Sequence, residues 1–335
     1  MRHSINDHLT GATESQIPGA SPWAPLVVVL GPTAVGKTTL SLQLAQAFCG
    51  EVVSADSRLF YQGMDIGTAK PTSEERALVE HHLIDIAAPN ETVGLAEFQE
   101  QAYRAISAIH SRGHLPLLVG GTGQYVRAVV EGWRIPRVPP VQELRAQLEK
   151  KAVDEGPAAL HARLAELDPS AAARIDLRNI RRVIRALEVC MVTGKPISEQ
   201  QNKVAPPYQI LQIGLTMDRD ALYARADQRV DQMMVAGLLL EVQRLLNDGY
   251  AWDLPAMSGL GYLQFKAHFE TGVALENVAD EIKRATHAFV RRQYNWFRLK
   301  DPSIQWFGVT SVSAGAIETY VRQWLEGGAK GEGHR

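Results

Sequence analysis

The residues Gly31-Pro32-Thr33-Ala34-Val35-Gly36-Lys37-Thr38 have the spacing G-x-x-x-x-G-K-[ST]. They stand between an apolar run, Leu26 to Leu30, and a stretch with helical apolar spacing at Leu40, Leu44 and Phe48, with Gly50 as a helix stop. A strand, a glycine-rich turn and a helix in that order make a phosphate-binding loop. The glycines let backbone N–H groups converge on a phosphate chain, and the first helical turn adds the positive end of its dipole. Gly31, Thr33, Ala34, Val35, Gly36, Lys37 and Thr38 are therefore the candidate ligands of a di- or triphosphate. Lys37 supplies a point charge for the terminal phosphates, and the Thr38 hydroxyl is a hard oxygen ligand for Mg²⁺.

Asp56 ends the next apolar run, Glu51 to Ala55, and is the candidate general base. A carboxylate at a strand end beside a phosphate loop can take a proton from an incoming nucleophile or help hold Mg²⁺. Its plainer role is to cap a helix or order a loop. Ser57 and Thr122 offer hydroxyls to a substrate, with a turn or cap role as the alternative. Thr122 closes Gly120-Gly121-Thr122, after the strand Leu115 to Val119. Hydrolytic phosphate-loop proteins end such a strand in an acidic residue that holds Mg²⁺ and orders the attacking water. This chain has none there, and Asn202-Lys203 is followed by Val204 and Ala205 rather than by a guanine-reading aspartate. The loop is expected to hold its phosphates for something other than hydrolysis.

Arg178, Arg181, Arg182 and Arg185 recur at helical spacing on one face, with Ile180, Val183, Ile184 and Leu187 on the other. Arginines stacked at i,i+4 repel one another. Only Glu188 is placed to relieve them within the helix, so the face wants an anion from outside. Arg284, Arg291 and Arg298 form a second basic stripe with Tyr294, Trp296 and Phe297 interleaved, in a segment from Ile282 to Lys300 without an acidic residue. Arginine with aromatics suits RNA, where phosphates are neutralised and unstacked bases are received on rings. The alternative is two solvated helices paired to acidic neighbours.

Strands alternating with helices position these groups. Apolar runs at Leu26 to Leu30, Glu51 to Asp56, His81 to Ile86 and Leu115 to Val119 alternate with helical patterns, one carrying Leu95, Phe98, Ala102, Ile106 and Ile109. The expectation is an α/β fold: a doubly wound parallel sheet with ligands at the C-terminal strand ends. Pro136, Pro139 and Pro140 then break the chain, and residues 136–203 read as an all-helical insertion. Residues 25–135 and 204–326 form the phosphate-loop core, with 1–24 and 327–335 as loose tails. The strand Gln209 to Leu215 resumes the sheet. One long helix capped by Asp218 runs to Asn247-Asp248-Gly249, two more helical segments follow, and Ile304 to Phe307 is a last strand. The segment Ser57 to Pro71 has no period, and long irregular connections in such domains are usually functional; Asp65 and Lys70 within it read as a loop ion pair.

With 335 residues, 45% hydrophobic and 21% charged, the chain has the composition of a soluble globular protein. A net charge of -2 means that a polyanion must be met by local patches. Cys49 and Cys190 carry no metal spacing and read as core or inert thiols in a reducing compartment. His81 and His82 lack a companion ligand and read as structural. No uncharged apolar stretch approaches the length of a membrane span, and no secretory signal is present, so a cytoplasmic monomer is expected.

Five motifs together, Gly31 to Thr38, Asp56-Ser57-Arg58, Gly63-Met64-Asp65-Ile66-Gly67-Thr68-Ala69-Lys70-Pro71, Leu117 to Thr122 and Arg185-Ala186-Leu187-Glu188-Val189, resemble the bacterial tRNA dimethylallyltransferase family, in order, from about Leu26 to Phe307. The resemblance implies transfer of a dimethylallyl group from dimethylallyl diphosphate to N6 of the adenosine 3′ of the anticodon, with Mg²⁺. It implies Asp56, Thr122 and Lys37 as catalytic residues. It implies tRNA contacts at Asp56, Ser57, Arg58, Leu59, Thr122, Arg145, Arg181, Arg182, Val183, Ile184 and Arg185. Some members have an apolar residue after the Gly-Gly-Thr turn, where this chain has Gly123-Gln124. Eukaryotic relatives carry a C-terminal zinc finger, which two cysteines cannot build.

The residues and the resemblance agree. A phosphate loop without a hydrolytic acid fits a diphosphate that departs as a leaving group. The arginine-bearing insertion fits a clamp on the anticodon stem-loop. Three rivals stay open: a small-molecule or nucleotide kinase using ATP, a non-catalytic RNA-binding regulator, and a prenyltransferase acting on free AMP.

Overall fold

The computed structural model describes residues 24–309 and 312–329. The elements run β1 (Pro25–Leu30), α1 (Lys37–Ala47), β2 (Gly50–Ser54), α2 (Ser73–Leu78), β3 (His81–His82), α3 (Leu95–Ser111), β4 (Leu115–Gly120) and α4 (Gly123–Val130). Helices α5 (Gln142–Asp154), α6 (Pro157–Leu167), α7 (Pro169–Ala172), α8 (Ile180–Thr193) and α9 (Ile197–Gln200) follow. The chain returns through β5 (Gln209–Thr216), α10 (Arg219–Val235), α11 (Leu238–Asn247), α12 (Lys266–Thr271), α13 (Leu275–Trp296), β6 (Ile304–Gly308) and α14 (Ala314–Ala329).

The six strands form one parallel sheet in the order β3-β2-β4-β1-β5-β6. Strand β1 lies at its centre, with Val27 beside Leu117 on one side and Leu211 on the other. Every residue from Leu26 to Leu30 is fully buried, as a parallel strand covered on both faces requires. Alternation sends Val27 and Val29 to one layer, with Leu40 and Leu44 of α1, Leu222 of α10, Val290 of α13 and Val321 of α14. Leu26, Val28 and Leu30 face the other layer, with Phe98, Ala102, Ile106 and Ile109 of α3 and Val126 and Val129 of α4. The doubly wound parallel sheet expected from the sequence is present.

Helices α5 to α9 pack on their own apolar cluster, which includes Leu148, Leu160, Leu164, Val183, Leu187 and Ile197. The chain leaves and re-enters this helical unit side by side, through an antiparallel bridge between Trp133 and Lys203. A fourth cluster joins Tyr61 and Met64 of the irregular segment to Leu238, Val242 and Leu245 of α11 and to Val278 and Ile282 of α13.

Several sequence expectations need correction. The strand His81 to Ile86 is only two residues long, because Leu83 and Asp85 adopt positive φ and turn the chain out of the ladder. Gly50 opens β2 instead of ending α1, which stops at Ala47. The long helix after Asp218 is two helices, broken where Gly237 adopts a φ of 100°. Cys190 is buried as expected, but Cys49 is exposed. Asp65 and Lys70 are not an ordinary loop pair. The Lys70 side chain is 3% exposed, between Asp65 at 2.6 Å and Asp85 at 2.5 Å. Helix α14 carries the chain through residues 327–329, expected from the sequence to belong to a tail. Residues 1–23 and 330–335 of the expected tails lie outside the described residues, while Ala24 is packed in the core.

Candidate active site at the C-terminal strand ends

The phosphate loop bridges β1 and α1. Gly31 and Gly36 have φ of 144° and 107°, backbone geometry that strains other residues. A side chain on Gly31 would also run into the Leu215 carbonyl, 2.6 Å from where its Cβ would sit. Helix α1 begins with no side-chain cap and no acidic residue in its first turn. Its first amides are therefore open to an anion, and the dipole favours one.

Lys37 Nζ donates to the Pro32 carbonyl at 2.8 Å, folding the lysine back over the loop. Desolvation lowers its pKa from 10.5 to about 8, with Asp56 pulling it up and Arg229 pushing it down. An anion bound there would restore the charge that burial disfavours. Asp56 lies just past the end of β2, and its Oδ1 accepts the Arg58 amide at 3.0 Å. The Ser57 amide reaches Thr122 Oγ1 at 3.5 Å, so the ends of the neighbouring strands β2 and β4 meet beside the loop. The fold thus brings Lys37, Asp56, Ser57 and Thr122 to one place. Arg58 turns outward to the Pro255 carbonyl at 3.1 Å, and Leu59 is half-buried. Gly123 lies against the Trp296 ring, 2.3 Å from where its Cβ would be, which leaves no space for a larger residue.

Three further residues complete the site without having been singled out from the sequence. Gln293 of α13 is 3% exposed. Its Oε1 accepts the Thr33 amide at 2.8 Å, and its Nε2 donates to the Gly121 carbonyl at 2.9 Å. This corrects the expectation for Thr33, whose backbone N–H is already taken. The signal was available: Val278, Ile282, Thr286, Val290, Gln293 and Phe297 follow one helical stripe, and a glutamine in an apolar stripe needs partners. Arg225 and Arg229 of α10 are the other two. The Arg225 guanidinium lies beside Gly36, 3.7 Å from where its Cβ would sit. Arg229 is held below its ordinary pKa by burial, against the pull of Asp56. Their i,i+4 spacing is the same like-charge signal that marked the insertion helix.

In the helical unit, α8 starts at Ile180, so Arg178 lies before it and pairs with Asp176 at 2.7 Å. Arg181 and Arg182 are exposed and have no ion-pair partner among the described residues. They sit at the positive end of the helix dipole, which adds to their repulsion. Arg145 and Arg185 instead converge on Glu188, which is fully buried. Glu188 also accepts the Val141 amide at 2.8 Å. Burial alone would raise the Glu188 pKa, but hydrogen bonds from Arg145, Val141 and Arg185 hold it at about 2. Val183 and Ile184, expected to touch RNA, are 0% and 5% exposed inside the helical core, which assigns their side chains to packing. The second basic stripe is also less open than expected. Phe297 is buried, Trp296 and Tyr294 pack on the core, and Arg284 pairs with Glu281 at 2.8 Å.

His82 bonds Glu51 at 2.6 Å, and His81 Nδ1–H donates to the Val79 carbonyl at 2.7 Å, as structural histidines do. Glu51, Glu80 and His82 are the one trio among the described residues with ligand atoms all within 4.8 Å of one another. The Glu51 oxygens are already occupied by Arg112, His82 and His114. No described helix is long and apolar enough to cross a membrane.

The comparisons with known proteins agree with this geometry. A family model described as IPP transferase matches residues 59–300. The chain belongs to the IPP transferase family. The tRNA dimethylallyltransferase of Roseiflexus sp. (strain RS-1) is 56% identical over 302 residues, covering 90% of this chain and 99% of that one. The crystal structure of the full-length tRNA isopentenylpyrophosphate transferase from Bacillus halodurans superposes with a TM-score of 0.69 at 42% identity, covering 93% of this chain and all of that one. A eukaryotic dimethylallyltransferase solved while acting on tRNA gives a TM-score of 0.75 at 28% identity, covering 89% of this chain and 77% of that one. This IPP transferase chain is therefore matched almost end to end.

Proposed function

We propose that this enzyme transfers the dimethylallyl group of dimethylallyl diphosphate to N6 of the adenosine 3′ of the anticodon in tRNA, releasing diphosphate. The observation that carries this reading is the pairing of an uncapped phosphate loop with a neighbouring strand end where Gly121 and Thr122, the former bonded by Gln293 of α13, stand in place of an acid. Such a site grips a diphosphate without activating water against it.

The allylic C–O bond breaks as the N6–C bond forms. Positive charge grows on carbon and negative charge on the departing diphosphate. The amides of Ala34, Val35, Gly36, Lys37 and Thr38, with the Lys37 ammonium and the Arg225 and Arg229 guanidiniums, receive that negative charge. Asp56 takes the N6 proton, and Thr122 orients the base from the opposite strand end. The Thr38 hydroxyl has no hydrogen-bond partner among the described residues. It is a hard oxygen ligand beside a diphosphate, which suits Mg²⁺. When bound, that ion supplies further charge for the leaving group. Adenine in a stacked loop cannot reach this site, so it is extruded from the stack. Asp56, Ser57, Arg58, Leu59 and Thr122 line its path. The helical insertion holds the anticodon stem-loop, with Arg181 and Arg182 as its free cations and Arg145 and Arg185 fixed beside them.

The test is one incubation of purified protein with unmodified tRNA, Mg²⁺ and radiolabelled dimethylallyl diphosphate, beside a tube with γ-labelled ATP. Label in RNA, mapping to an adenosine next to the anticodon, is the expected result. Label moving only from ATP would replace this reading by a kinase.

A further inference from the structure

The conspicuous motif Gly63 to Pro71 has no contact with phosphate or base in the proposed reaction, yet two buried charges hold it. Lys70 anchors one end, bonded to the Tyr61 carbonyl at 2.9 Å as well as to Asp65 and Asp85. Glu241 of α11, 6% exposed, anchors the other. Its Oε2 accepts the amides of Asp65 and Ile66, both at 2.9 Å. Its Oε1 accepts the Gly67 amide at 3.1 Å and the Tyr262 hydroxyl at 2.7 Å. Four donors on one carboxylate fix the turn more firmly than packing alone, because each becomes a buried orphan if the acceptor is lost. Gly67 itself is pressed on the Tyr262 ring, 2.6 Å from where its Cβ would be.

The turn so held is one wall of a small cavity beside the phosphate loop. Gly67 and Thr68 line it together with Thr33 and Ala34, and Val230 and Ile282 contribute apolar surface. The cavity volume is about 70 Å³. At roughly 15 Å³ per water-sized group, that space takes on the order of five heavy atoms. A larger cleft of about 780 Å³ opens on the far side of Arg229 and Met233, which line both spaces.

We propose that Glu241 is a positioning residue that, through the amides of Asp65, Ile66 and Gly67, holds Gly67 and Thr68 as a wall of this cavity, and so limits the donor to a five-carbon chain. The inference rests on the function proposed above. A five-carbon group attached to a diphosphate on the loop fills the cavity. A ten-carbon chain requires the wall to move. Glu241→Gln keeps the shape of the side chain but turns an NH₂ toward donors, so at least one turn amide loses its acceptor and the wall loosens.

The experiment compares wild-type enzyme, Glu241→Gln and Tyr262→Phe, each with dimethylallyl diphosphate and with geranyl diphosphate, on an unmodified anticodon stem-loop. In Glu241→Gln the preference in kcat/KM for the shorter donor is expected to fall about tenfold, with KM for that donor raised and KM for the RNA unchanged. Tyr262→Phe removes one of the four donors and is expected to shift the same ratio in the same direction by less. If Glu241→Gln does not fold, the ratio in Tyr262→Phe decides. An unchanged ratio, or an equal loss with both donors and with RNA, overturns the inference. Absence of transfer by the wild-type enzyme overturns the functional reading itself, an outcome distinct from the other two.

Discussion

Asp56 and Gln293 show how position converts ordinary side chains into a site. An aspartate at a strand end is common, but here it faces Lys37 and Arg229 and lies across from Thr122. Asp56→Asn keeps the shape and removes the base, so kcat is expected to fall about 10²-fold or more while tRNA affinity is retained. Normal single-turnover rates in that variant would remove Asp56 from its role. Gln293 acts earlier, by fixing the loop. Gln293→Leu leaves the Thr33 amide and the Gly121 carbonyl without their partner, at a cost of about 1–3 kcal/mol each. The expected signature is a raised KM for the diphosphate donor together with a lowered melting temperature. A melting temperature and a KM both equal to wild type would show that the two groups had found other partners.

Helix α8 carries two functions on one short element. Its buried face and Glu188 belong to stability, and its first turn leaves exposed Arg181 and Arg182, the cations of the proposed tRNA contact. The two separate experimentally. Removing Glu188 leaves Arg145 and Arg185 facing each other without their common carboxylate, so Glu188→Ala is expected to destabilise the insertion by roughly 3–5 kcal/mol. Changing Arg181 and Arg182 together to alanine is expected to leave the melting temperature intact. It should weaken tRNA binding and reduce the salt slope of log K by about 2. An unchanged slope in the double variant would take these arginines off the RNA.

Across the whole molecule, the two ends of the sheet have different work. The C-terminal ends carry the site, and the opposite edge near β2 and β3 carries an ion cluster. There Glu51, 3% exposed, accepts from Arg112, His82 and His114. Burial would raise its pKa, but these hydrogen bonds outweigh it and lower the value from 4.5 to about 2. A carboxylate lowered in the folded state contributes stability above its ordinary pKa, and that stability is lost as pH falls toward the folded value. Wild-type protein is therefore expected to lose melting temperature progressively between about pH 5 and about pH 2, and Glu51→Gln to lose less from a lower start. Parallel curves for the two proteins would show that Glu51 is not the group responsible.

The phosphate loop and the parallel sheet were legible in the sequence because each depends on local order, whereas of the four arginines read as one face only Arg181 and Arg182 stay exposed on α8 without an ion pair among the described residues. Glycine spacing sets a turn, an apolar run of five residues marks a covered strand, and period 3.6 marks a helix face. The family motifs added the chemistry on the same linear terms. What the linear pattern left undetermined lay in long-range partners. Gln293 meets Thr33 from 260 residues away, and Glu241 meets Gly67 from 174. Val183 and Ile184 fall inside a motif expected to face RNA but point into a core. A motif states which residues are near in the chain, whereas burial and hydrogen bonding depend on what the fold brings against them. The sequence alone determined a phosphate-loop motif on a doubly wound sheet. Only the tertiary structure decided which of the loop amides, arginines and carboxylates remain free to act, because in a close-packed interior each polar group must first find its partner.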